Sequence, residues 1–98
     1  MYRIVYEKQA IKDIKNLKSV GLDRKVKELI EVIRENPFKN PPPYEGLVGN
    51  LKGFFSRRIN IQHRLVYQVY AEPVEIDDTM YEGTVKIVRM WTHYGGVK

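Results

Sequence analysis

The sequence predicts an α+β domain: an antiparallel-rich four-stranded sheet with two amino-terminal helices packed on one face, in the order strand, helix, helix, strand, strand, strand. Three observations predict it. The chain opens on alternation, with Tyr2, Ile4 and Tyr6 set against Arg3, Val5 and Glu7. It then changes to helical spacing in two consecutive stretches. After a proline-dense break, residues 54–61, 64–70 and 84–94 are rich in β-branched and aromatic side chains.

Each element has its own warrant. In the first helix Ala10, Ile11, Ile14 and Leu17 recur on one side, Lys12, Lys15 and Lys18 occupy the other, and the pattern ends near Gly21. Asp23 is placed to cap a second helix, whose stripe is Val26, Leu29, Ile30 and Ile33 and whose end is set by Asn36-Pro37. Two antiparallel helices joined by so short a turn cover one face of a sheet and leave the other open. Residues 36–44, NPFKNPPPY, read as a stiff, extended connector, and the same composition suits a ligand of proline-binding modules. The next two strands form a hairpin with a tight connection. Five acids from Glu72 to Glu82, with no base among them, then make a long, solvated hairpin connection to the last strand, without the oxygen spacing of a calcium loop.

Length and composition bound the rest. With 98 residues and 43% hydrophobic content, the chain reads as one domain over residues 1–98, so fold and function share a single sheet. No cysteine is present, which removes disulfides and thiolate metal sites and suits the reducing cytoplasm. No apolar run reaches the length of a membrane span, and MYRIVYEKQ lacks a signal-peptide pattern, so a cytoplasmic protein without membrane contact is expected. The two histidines, His63 and His93, lie thirty residues apart, and phosphate loops and nucleophile elbows are missing. No metal centre and no cofactor are expected.

Charge is concentrated in the middle third. Residues 1–36 hold nine bases and six acids, residues 37–70 five bases and one acid, and residues 71–98 three bases and five acids. Arginines on strands with Glu45 as the single nearby carboxylate suit an outside anion such as nucleic acid, or an acidic protein; a sheet face whose arginines pair with distant acids has the same composition. The residues able to carry chemistry are Glu45, Arg57, Arg58, Arg64, His93 and Tyr94.

The pattern E-x-L-x-x-N-L-x-G-F-F-S-R-R-I from Glu45 to Ile59, followed by His63-Arg64-Leu65-Val66-Tyr67 and a late His93-Tyr94, resembles the Txe/YoeB family of bacterial toxins in the RelE superfamily. The resemblance covers essentially the whole chain. It implies a RelE-like fold and the toxin of a type II toxin-antitoxin pair, a ribosome-dependent endoribonuclease that cleaves mRNA. It assigns Glu45 as general base, Arg64 as phosphate stabiliser, His93 as general acid and Tyr94 as a shaping residue. Arg57 and Arg58, with Lys52 and His63, fall to RNA or ribosome contact. The implied partners are the ribosome with its mRNA and a cognate acidic antitoxin, and the family includes homodimers. Val48 stands where some members have a lysine.

Elementary chemistry agrees with those roles. RNA carries a latent nucleophile in its 2′-hydroxyl, which a carboxylate can deprotonate as it attacks phosphorus. An imidazole can protonate the departing 5′-oxygen and a guanidinium can meet charge on the phosphoryl oxygens, all without a metal. Two other classes stay open: a toxin of the same fold that inhibits a protein target such as gyrase, and a basic RNA-binding module.

Overall fold

Helix formation follows the two stripes. The computed structural model describes residues 1–92. Strand β1 (Tyr2–Tyr6) leads into helix α1 (Lys8–Ser19), and α2 (Asp23–Glu35) follows after one turn. That turn is closed by Gly21 at φ 76°, with the Gly21 amide donating to the Lys18 carbonyl and the Leu22 amide to that of Leu17. This is the six-to-one and five-to-two pairing of a Schellman stop, in which glycine takes a left-handed conformation that a Cβ would resist. Asp23 does not cap α2 as expected; Leu22 holds that position without a side-chain bond, and Asp23 sits in the first turn, where its charge favours the helix dipole. Leu17, Leu29 and Ile33 bury the apolar stripes against the sheet.

The sheet differs from the four-stranded expectation. It has five strands in the order β1, β7 (Gly83–Thr92), β4 (Arg64–Tyr70), β3 (Phe54–Arg58), β2 (Tyr44–Gly46), and it is mixed, because β1 runs parallel to β7 while the other pairs are antiparallel. The added strand, β2, is three residues long and follows directly on prolines, too short to alternate visibly. Strand β3 also ends at Arg58, not at residue 61: Asn60 Oδ1 accepts the Gln62 and His63 amides and turns the chain early. The acidic hairpin connection has strands of its own. It folds into a separate hairpin, β5 (Val74–Ile76) and β6 (Thr79–Tyr81), turned by Asp77 and Asp78 at φ 51° and 65°.

Alternation then sorts the side chains. Leu65, Tyr67, Val85, Ile87 and Met90 are fully buried in the core beneath the helices. By period two, Phe55 and Arg57 share the face of Tyr67 and Leu65, their register partners. Ser56, Arg58 and Arg64 lie on the opposite, helix-free face, and Glu45 joins them as the partner of Ser56.

One buried acid shapes the last strand. The register of β4 against β7 slips twice, from Arg64↔Thr92 to Val66↔Arg89 and then to Tyr67↔Ile87, so β7 is bulged. Asp13 of α1, fully buried, reaches the bulge: its Oδ2 accepts the Met90 amide at 2.9 Å, the Trp91 amide at 3.3 Å and Arg89 Nε at 3.0 Å, while Oδ1 accepts Gln9 Nε2. Burial alone would push this carboxyl up. The Met90 amide, Gln9 and Arg89 outweigh it and hold Asp13 below the ordinary carboxylate value.

Candidate active site

Four elements of sequence meet at the helix-free face near the β2 edge. Pro43, Tyr44, Glu45, Ser56, Arg58 and Arg64 line a cleft of about 330 Å³. Within it, Arg64 Nη1 donates to Glu45 Oε1 at 3.2 Å, and the two side chains keep 22% and 46% exposure, respectively. Arg58 is exposed and lies directly across the β3–β4 ladder from Arg64. Two guanidiniums facing one another repel. Glu45, Arg58 and Arg64 together sum to +1, a charge that one phosphodiester would neutralise.

The other expected residues divide. Lys52 is exposed at the end of the short 3-10 turn Gly49–Leu51 and does not line the cleft. Arg57, expected to contact RNA, is fully buried under the proline segment, so it has no surface to offer. His63 is corrected likewise: it is buried, with its ring stacked on Trp91 at 4.1 Å between centroids, because the turn that ends β3 folds it inward. His93 and Tyr94 lie outside the described residues. The strand is described as far as Thr92, the register partner of Arg64.

Sequence reasoning missed two residues beside the site. Ser56 is buried directly opposite Glu45, and its Oγ has no hydrogen-bond partner among the described residues. Tyr67 sits below, with its hydroxyl donating to the Pro37 carbonyl at 2.8 Å. Burial raises its pKa against the opposing pull of Arg57, so the hydroxyl stays protonated and remains a donor. Both were visible as strand residues whose parity follows from their neighbours.

A small α+β domain whose helix-free sheet face carries a cleft with a carboxylate set among arginines is the class that fold and cleft define. The profile of the YoeB-like toxin of bacterial type II toxin-antitoxin systems matches residues 6–94 of this chain. The chain belongs to that family. It is 50% identical over 46 residues to the toxin YoeB of Escherichia coli strain K12, a match over 47% of this chain and 55% of the relative. It thus spans about half the length of the curated relatives first matched. A YoeB/ParE toxin from Agrobacterium tumefaciens superposes with a TM-score of 0.77 at 23% identity, covering 94% of this chain and 99% of that one, a likeness of fold. YoeB from Staphylococcus aureus has been solved as a dimer, with a TM-score of 0.70 at 32% identity over 95% of this chain and 98% of that one. The same toxin in complex with YefM gives 0.69 at 31% identity over 96% and 99%.

Proposed function

We propose that this chain, acting as a single domain over residues 1–98, is a toxin that cleaves mRNA on the ribosome by 2′-hydroxyl attack. The observation that carries the reading is the Glu45–Arg64 pair, 3.2 Å apart in an open, arginine-rich cleft of about 330 Å³. A base and a phosphate ligand that close together span the distance between a ribose 2′-oxygen and the adjacent phosphoryl oxygens. Glu45 takes the 2′-proton as the 2′-oxygen attacks phosphorus. Arg64, with Arg58 beside it, meets the charge gathering on the non-bridging oxygens, and His93 gives its proton to the departing 5′-oxygen. The products are a 2′,3′-cyclic phosphate and a 5′-hydroxyl, and Tyr94 shapes the pocket.

The magnitudes suffice for a nuclease without metal. Each well-placed proton transfer contributes on the order of 10² to 10⁴ in rate, and a donor aimed at developing charge about 10² to 10³. These gains require an in-line substrate, which the ribosome supplies by bending the message. Lys52, exposed at the end of the turn Gly49–Leu51, is assigned to ribosome contact on its charge and exposure.

The partner follows from family and charge. The S. aureus relative is found with YefM, and this chain carries a net charge of +5, so an acidic antitoxin chain covering the basic face is the counterpart. The same relative also forms a dimer, and a homodimer is proposed here on that precedent.

The experiment uses ribosomes programmed with a short message and the purified chain. A message with a 2′-deoxy sugar at the scissile nucleotide should resist cleavage, a chelator should change nothing, and Glu45→Gln and His93→Gln should each slow cutting about 10² to 10⁴-fold while the protein stays folded. Cleavage of the deoxy message, or parent rates in both variants, overturns the mechanism.

A further inference from the structure

Arg57 heads the fully buried side chains by volume, yet among the described residues no carboxylate pairs with it. Its charge is met by backbone instead. Nη1 donates to the Pro42 carbonyl at 2.6 Å, Nη2 to those of Pro37 at 3.0 Å and Lys39 at 2.9 Å, and Nε to the Tyr67 hydroxyl at 3.1 Å. The Tyr67 hydroxyl in turn donates to Pro37, and the Tyr44 ring lies 5.1 Å from the guanidinium.

Those contacts gather one strap of chain. Residues 37–43 offer few amides, since Pro37, Pro41, Pro42 and Pro43 have none, so the strap can be held mainly through its carbonyls. A guanidinium has donors and no acceptor, and it presents them in a fixed plane; it is the complement of such a segment. Phe38 adds an edge contact with Phe55 at 5.2 Å. The strap runs straight into β2, a three-residue edge strand whose ladder gives little rigidity of its own, and Glu45 is its middle residue.

The geometry points to Arg57 as the positioning residue that sets Glu45 against Arg64, by fixing the strap from the face of the sheet opposite the cleft. This inference rests on the reading of Glu45 as base. Arg57 touches no substrate. A lysine there would have three donors for four acceptors and no plane to arrange them, so the strap and Glu45 would drift.

A single-turnover cycle on programmed ribosomes tests it. Arg57→Lys should slow the saturating cleavage rate about 30- to 100-fold, the scale of an ångström of misplacement, with the half-saturating concentration changed by less than about threefold. In the Glu45→Gln background the same substitution should cost less than about threefold more, because the group it positions is gone. A merely structural residue would cost the same factor in both backgrounds. Tyr67→Phe, which removes one strap bond and keeps the ring, should give the same pattern at about tenfold, and it carries the test if Arg57→Lys does not fold. Equal factors in the two backgrounds, or a folded Arg57→Lys within threefold of the parent, overturn the positioning role and leave the base assignment standing. A parent rate in Glu45→Gln alone overturns both.

Discussion

Replacing Asp13 with alanine should be among the most destabilising single changes in this chain, and the structure sets the size. The Met90 amide would lose its acceptor inside the core, at about 1–3 kcal/mol for a buried unsatisfied donor. The Trp91 amide bond is longer, at 3.3 Å, and Arg89 keeps 27% exposure and can turn to water, so together they add roughly 1 kcal/mol. A total near 3 kcal/mol corresponds to a fall in Tm of roughly 12–24 °C for a domain of this size. Scanning calorimetry on the purified chain reads it directly. Asp13→Asn, which keeps one acceptor and loses the charge, should fall between alanine and the parent. The folded carboxyl titrates below its unfolded value, so its contribution is complete above about pH 5 and is lost as pH falls through and below about 4. The Tm gap between the parent and Asp13→Asn should therefore be constant from pH 7 to 5 and close under more acid conditions. An alanine variant that melts within about 4 °C of the parent, or a gap that widens in acid, would refute the reasoning.

Two further outcomes are open to measurement. Gly83→Ala places a Cβ against the Tyr70 carbonyl oxygen and 3.2 Å from the Ala71 Cα, backbone that cannot swing aside, and should cost about 1–3 kcal/mol by displacing the start of β7; a Tm unchanged within about 2 °C would show that the strand yields freely. Arg58→Ala removes an exposed guanidinium at the cleft, so it should weaken association with programmed ribosomes and lower the slope of log affinity against log salt by about 0.7–0.9; a parental slope would show that Arg58 meets no phosphate.

Much of this was legible because periodicity reports burial. The stripes through Leu17 and Ile33 gave both helices, and the arginine-bearing hairpin appears where its aromatic and β-branched residues put it. Asp13 stands three residues after Ala10 and four before Leu17, on the apolar stripe itself, so its burial was written in the spacing although its partners on β7 were not. Arg57 alternates with Phe55 and Ile59, which marks it as facing inward, whereas its neighbour Arg58 faces out; charge is the same at both positions, and only parity separates them. Strand β2 was beyond reach, because three residues cannot display a period and its existence depends on β3 lying alongside. His63 followed no stripe, and only the early turn at Asn60 explains its contact with Trp91.

The placement of β7 between β1 and β4 has a bearing on synthesis. Every other described element leaves the ribosome before it, yet it is the plank that joins the first strand to the rest of the sheet. A nascent or truncated chain that stops short of Gly83 leaves β1 without its neighbour, exposes one side of β4 and deprives Asp13 of the amides it holds. Such a product keeps β2, β3 and β4, which carry the cleft, but lacks the strand that ties them to β1 and to α1, so the support beneath the site is completed only when the last described strand is made.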